Sequence, residues 1–255
     1  MSGDCGNQVR YLIVSDMHGN CDAFDAVLRK LRRKRFERTL VLGDLVGYGA
    51  GPNQIVEAVR GLPGEILQVR GNHDKVVAGA EDGANFNPAA LQAARWTSER
   101  LTAANLRAVR ELPQGPVAVD EEVSICHGSP LDEDAYVFSD FDAYQIFTAH
   151  SAPVTFFGHT HIPSLFVRHP GGIEVALLRG ETGTIRIEPG FQYLLNPGSI
   201  GQPRDRDPRA SYMTYDSDKK VVRWHRVDYP IPKAQERIVK AGLPKVLADR
   251  LAAGI

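Results

Sequence analysis

Several short apolar runs in this chain stop abruptly at a cluster of Asp, His or Asn, and that repetition constrains the fold more than any other feature. Residues 9–15 (VRYLIVS) run into DMHGN. Residues 39–42 (TLVL) run into Gly43-Asp44, and residues 65–69 into Arg70-Gly71-Asn72-His73-Asp74. Residues 154–157 end at Gly158-His159-Thr160-His161, and residues 117–126, a hairpin turning at Asp120-Glu121, end at His127. Continuous apolar runs this short read as strands buried on both faces. Helical patterns separate the first three. Residues 22–34 place Phe24, Val27, Leu28 and Leu31 on one face, and Asn53 stands as an N-cap for residues 54–60. Strand alternating with helix predicts βαβ units and a mostly parallel sheet. The carboxyl ends of such strands share one edge, so their terminal polar residues collect there.

The rest of the chain reads differently. Residues 88–112 are rich in Ala, Leu, Glu and Arg and predict one or two helices. Residues 141–149 read as a further helix. Between residues 165 and 227 lie LFVRH, IEVAL, TIRIE, QYLLN, SYMTY and VVRWHRV, separated by Gly and Pro turns, a pattern that predicts an antiparallel or mixed second sheet. Residues 234–253 read as two short amphipathic helices broken at Gly242 and Pro244. With no repeat or long linker, the expectation is one domain over 1–255. It carries a helical cap insertion at about 86–112 and a C-terminal helical extension at about 232–255.

Charge gives little direction. Lys+Arg 30 against Asp+Glu 31 supplies no global reason to bind nucleic acid or a membrane. The one basic run, from Arg29 to Arg35, sits at the end of a predicted helix. Cations suit that end of the dipole, and a solvated face is the plain reading. Cys5, Cys21 and Cys126 are scattered and form no CxxC pair, which suits a reducing cytoplasm. The opening residues show no apolar leader, and no run reaches the length of a membrane span.

Carboxylate oxygen and imidazole nitrogen bind Mn, Fe, Zn and similar divalent ions. The strand-terminal set Asp16, His18, Asp44, Asn72, His73, His127, His159 and His161 therefore reads as a metal site, with Asp44 able to bridge two cations. His150, His169 and His225 lie outside this pattern and read as structural.

The motifs DMHGN (16–20), GDLVG (43–47), GNHD (71–74), HG (127–128) and GHTH (158–161), in that order, resemble the calcineurin-like metallophosphoesterase superfamily. The resemblance implies a four-layer α/β/β/α fold, two mixed sheets sandwiched between helices. It implies one metal held by Asp16, His18, Asp44 and His161 and a second by Asp44, Asn72, His127 and His159. The ions would be Mn, Fe, Ni, Zn or Mg, with Mn favoured. It implies that a metal-bridging hydroxide attacks phosphorus in line, that a protonated His73 serves the leaving oxygen, and that Asp74 pairs with His73. Gly47-Tyr48-Gly49 stands where the family's protein Ser/Thr phosphatases carry an acid–Arg pair. The stretches GYGxxPN (47–53), CHGSP (126–130) and NPGSIGQPR (196–204) resemble compact prokaryotic phosphodiesterases and the diadenosine tetraphosphatase-like branch.

On this footing the expected substrate is a small phosphodiester or phosphoanhydride of nucleotide type. A phosphomonoesterase and a non-catalytic scaffold on the same fold are the alternatives. Arg204, with Arg206 and Arg209, is a candidate replacement anion clamp, and Tyr48 and Asn72 are candidate substrate contacts. Phe86, Trp96 and Tyr136 are candidate walls of a base pocket. Homo-oligomerisation is left open.

Overall fold

Alternate residues of the first strand face two different cores, and this doubling organises the molecule. In the computed structural model, which describes residues 9–255, Leu12 and Val14 pack into one apolar cluster while Tyr11 and Ile13 pack into another. Side chains on a strand point alternately to its two faces, so a strand between two layers must be apolar at every position. Cys5 and the opening residues lie outside the described residues.

The chain runs β1 (Arg10–Val14), α1 (Cys21–Leu31), β2 (Arg38–Val41), α2 (Pro52–Arg60), β3 (Glu65–Gln68), α3 (Asn72–Ala78), α4 (Pro88–Arg100), α5 (Ala103–Arg110), β4 (Val117–Ala118), β5 (Val123–Ile125), α6 (Asp140–Ala149) and β6 (Val154–Phe156). It continues through β7 (Ser164–His169), β8 (Gly172–Leu177), β9 (Thr182–Arg186), β10 (Gln192–Asn196), β11 (Ala210–Asp216), β12 (Val221–Val227), α7 (Ile231–Lys240) and α8 (Lys245–Ala253). One six-stranded sheet has the order β3-β2-β1-β11-β12-β9 and the other the order β4-β5-β6-β10-β7-β8. Three apolar layers separate the sheets from each other and from the helices. Tyr11, Leu40, Phe156, Leu195 and Met213 lie between the sheets. Phe24, Val27, Ile55 and Leu247 belong to the layer shared by the first sheet and its helices. Phe157, Phe166 and Leu194 meet Ile146 and Phe147 of α6 beyond the second sheet. This is the expected α/β class with two mixed sheets between helices. No helix among the described residues is long and apolar enough to cross a membrane.

Two local expectations change. The strands between residues 165 and 227 do not form a sheet of their own: β9, β11 and β12 complete the first sheet, and β7, β8 and β10 join the second. Period-two patterning identifies strands but carries no information on which edge each one joins. Asn53 is not an N-cap. The helix begins at Pro52 after Gly51, and the Asn53 side chain instead accepts from Thr102 N and Asn105 Nδ2 and donates to Arg100 O, tying α2 to the α4–α5 junction. Asn72, His73 and Asp74 lie in the first turn of α3.

The parallel register of β1, β2 and β3 brings the segments after them to one edge. β5, β6 and β10, also mutually parallel, bring theirs to the same place from the second sheet. The turn after β10 joins the two, since Ile200 N donates to Ser15 O at 3.1 Å and Gly201 N to Asp16 O at 2.9 Å.

Candidate metal centre

At this shared edge the backbone is bent hard. Of the eight non-glycine residues with positive φ among the described residues, six are Asp16, His18, Asp44, Tyr48, His159 and His161. A non-glycine residue in the left-handed region costs on the order of 1 kcal/mol, and such residues cluster where function demands them. The close packing also requires glycine at Gly71, where a Cβ would stand 2.1 Å from Asp44 Oδ1.

The bends bring the expected ligands together. Asp16, His18, Asp44 and His161 place one donor atom each within 4.8 Å of one another, and so do Asp44, His127 and His159. All six side chains are buried. Asp44 belongs to both groups. Its Oδ2 lies 3.3 Å from His18 Nε2 and 3.4 Å from His127 Nε2, while its Oδ1 accepts from His73 N at 2.9 Å. Asn72 Oδ1 stands 3.2 Å from His127 Nε2 and adds a carbonyl to the second group.

Backbone carbonyls fix the tautomer of each imidazole. His18 Nδ1 donates to Val46 O at 3.1 Å, His127 Nδ1 to Leu42 O at 2.7 Å and His161 Nδ1 to Gln202 O at 2.6 Å. In each case Nε2 is left as a lone pair facing the cluster. His159 is reversed: Nε2 donates to Asp134 O at 3.0 Å, which frees Nδ1. Acceptors then face acceptors. His18 Nε2 meets His161 Nε2 at 3.0 Å, and His159 Nδ1 meets His127 Nε2 at 3.1 Å. Asp16 Oδ1 is buried without a hydrogen-bond partner, while its Oδ2 accepts from Ser15 Oγ and His159 N. Bare lone pairs and carboxylate oxygens packed this closely repel one another unless positive charge lies among them. The donor set therefore fits divalent cations.

Electrostatics agree. Burial pushes His18, His159 and His161 down, His159 to about 3, so these rings stay neutral, as ligands must be. Burial also acts against a charge on His127, but the adjacent Asp44 carboxylate outweighs it and raises this ring to about 10. A proton on His127 Nε2 holds that spot until a cation displaces it, and the nitrogen then presents its lone pair.

His73, Tyr48, Arg204, Phe86 and Tyr136 join Asp44, Asn72, His159 and His161 around a cavity of about 230 Å³. Arg204 makes no ion pair among the described residues. It donates to Gln202 Oε1 at 3.0 Å and to Tyr48 Oη at 3.3 Å, with its guanidinium carbon 5.8 Å from the Tyr48 ring centre. Arg206 and Arg209 do not line the cavity, and Arg209 is paired with Asp207 at 2.7 Å. The three-arginine clamp therefore reduces to Arg204. Trp96 does not line the cavity either and packs against the helix-side core, whereas Phe86 lies 4.4 Å from His73 and Tyr136 stacks on His159 at 4.0 Å.

Two expectations about His73 change. Asp74 does not pair with it. The Asp74 carboxylate accepts from Gly71 N at 3.0 Å and Val46 N at 3.3 Å, satisfying the start of α3, and His73 Nδ1 is buried without a partner. Burial pushes His73 down to about 4 despite Asp44 nearby, so its imidazole is neutral near pH 7 rather than protonated. Sequence reading also missed the carbonyls of Leu42, Val46, Asp134 and Gln202, because every residue type has one. It missed Lys75 too, which is buried among carboxylates beside the site.

Comparison with known proteins follows the same line. The family model of the calcineurin-like phosphoesterase superfamily domain matches residues 9–220. An uncharacterized protein of Methanocaldococcus jannaschii is 37% identical over 251 residues, covering 95% of this chain and 97% of its own. A metallophosphoesterase from Sphaerobacter thermophilus, known as a crystal structure, is 38% identical with a TM-score of 0.85, over 98% of this chain and 100% of that one. A hypothetical protein from Pyrococcus horikoshii shares the fold at 20% identity and a TM-score of 0.79, over 97% and 99% of the two chains.

Proposed function

The chain belongs to the calcineurin-like phosphoesterase superfamily, a family of metal-dependent phosphoric ester hydrolases, and from that premise we propose that it is a binuclear phosphodiesterase acting on nucleotide-type phosphodiesters or phosphoanhydrides. Asp16, His18, Asp44 and His161 hold one divalent cation and Asp44, Asn72, His127 and His159 a second, manganese being the favoured ion. The reading is carried by the buried set of acceptor atoms whose tautomers leave only lone pairs toward the centre. When bound, such a pair polarises phosphoryl oxygens and makes water nucleophilic near neutral pH.

The chain's own groups divide the remaining work. Arg204, a free cation on the cavity wall, binds a non-bridging phosphate oxygen. Tyr48, 7% exposed, packs between His18 and His73 at ring distances of 4.6 and 4.3 Å and positions both rings and Arg204. His73 has Nδ1 against Gly47, so Nε2 is the nitrogen open to substrate. As a neutral imidazole it serves the leaving oxygen as a hydrogen-bond donor, not as a full acid. Phe86 and Tyr136 at the wall favour a substrate with an organic group on both sides of phosphorus. We take residues 1–255 as one catalytic domain with α4 and α5 as its cap. We place the protein in the cytoplasm, consistent with buried, unpaired Cys21 and Cys126.

The test is a metal analysis of manganese-reconstituted protein followed by a comparison of nucleotide diesters, dinucleoside polyphosphates and monoesters. Two ions per chain and turnover of the first two classes are expected. Turnover of monoesters alone removes the diesterase reading, and one ion or none removes the binuclear one.

A further inference from the structure

A second hollow, of about 470 Å³, lies at the opposite end of β1 from the metal centre. Six residue steps separate Arg10 at its wall from Asp16, roughly 20 Å at ~3.3 Å per step. A compact ligand cannot occupy both. Arg10, Arg33, Lys34, Arg35, Lys219 and Arg223 surround the hollow, with Asp216 the one acidic residue among its lining. A smaller hollow of about 320 Å³ adjoins it through the shared Arg33.

The helix dipole accounts for Arg29 and Lys30 in the last turn of α1. It does not account for the others, which come from the segment after α1, from the start of β1, and from β12 and the turn before it. Among the described residues, Arg10 pairs with Glu37 at 3.6 Å and Lys219 with Asp216 at 2.9 Å. The side chains of Arg33, Lys34, Arg35 and Arg223 make no ion pair or hydrogen bond among the described residues. Burial, with Lys30 and Arg223 close by, pushes Lys34 down from its ordinary value. The chain's net charge is only -1, so this concentration of one sign is local. Six cations converge on one depression against two carboxylates, Glu37 and Asp216, and the excess of one sign makes sense where an anion relieves it.

We propose that this hollow is a binding site for a compact polyphosphate, distinct from the metal centre. The cations arrive from three separate chain segments around a single depression, which suits a short, multiply charged anion better than a linear backbone. Its aromatic residues, Phe36 and Tyr215, are 8% and 1% exposed and offer no face to a base, so recognition is through phosphate alone. Inorganic tripolyphosphate and a nucleoside triphosphate then bind alike.

The test is calorimetric titration of the whole, metal-stripped chain with tripolyphosphate, adenosine triphosphate and a single-stranded oligonucleotide at low ionic strength. Arg204→Gln controls for the catalytic cavity. Expected are one polyphosphate per chain, equal affinity for the two triphosphates, and about a tenfold loss in Arg33→Gln/Arg223→Gln. That variant keeps its phosphoesterase activity after manganese is restored, and Arg204→Gln keeps the binding. Affinity unchanged in the double variant, lost in Arg204→Gln, or dependent on the base overturns the proposal. So does preferential binding of the oligonucleotide, which would make the surface a nucleic-acid rail.

Discussion

The carbonyl oxygen of Asp134 receives the Nε2 proton of His159, and the carboxylate of the same Asp134 is held by Lys75 Nζ at 2.5 Å. Lys75 also reaches Glu81 at 2.7 Å and Glu133 at 3.3 Å, and Glu133 in turn takes Arg70 at 2.8 Å. A single buried ammonium thus ties α3 to the segment that decides which nitrogen of His159 faces the proposed second metal site. Lys75→Met is expected to weaken the second metal by about tenfold, within the range for groups that orient a ligand. The first metal should be kept. Titration of manganese stoichiometry checks it, and equal loss at both sites would contradict it.

Gly47 has φ +92°, and a Cβ there would stand 2.5 Å from His73 Nδ1. Gly47→Ala should displace the His73 ring. The expected result is a fall in kcat with two metals still bound, and about 1–3 kcal/mol lost from stability through backbone strain. Metal analysis beside steady-state kinetics separates the two effects.

His73 and Asp74 should behave unlike each other, because they do not touch. His73→Ala is expected to lower kcat by about 100-fold on substrates with poor leaving groups, the low end for losing one hydrogen-bond donor to a developing negative oxygen. Asp74→Asn should act on the start of α3, lowering Tm while leaving the pH profile of kcat in place. A shift of that profile in Asp74→Asn would show that the two residues are coupled.

Arg204→Ala should raise KM by about tenfold, as expected for one charge-assisted contact to phosphate, with metal content unchanged. An unchanged KM would mean that Arg204 does not touch substrate.

His225 makes stability depend on pH away from the site. Burial, together with Lys34, Arg223 and Lys30, lowers it to about 4, and its ring stacks on Tyr212 at 4.7 Å. The unfolded chain protonates this residue near pH 6.5 and the folded chain near 4, so between those values the unfolded state binds more protons. Stability is therefore full above pH 6.5 and declines as pH falls toward 4. Urea midpoints measured across this window in His225→Phe should decline less.

The residues that gather at the candidate metal site were legible because their types are chemically narrow and sit directly after apolar strands. The division of the last six strands between two sheets was not legible, because a strand such as β9 has the same alternation whichever sheet it joins. Arg204 could be read from its distance to the Gly turn at 198, but its separation from Arg206 and Arg209 depends on Asp207, which pairs with Arg209. The Asp74 expectation failed for a local reason. A carboxylate three residues after Gly71 is also well placed to satisfy a helix's first amides, and here that short-range bond won.

The pairing of β1 with β11 sets the order in which the molecule can be finished. Ile13 is registered against Met213, so the first strand waits for a partner some two hundred residues downstream. A chain leaving the ribosome would carry β1 and β2 with an open, apolar edge until that partner is made. Truncations that remove β11 should yield aggregates rather than a smaller working enzyme.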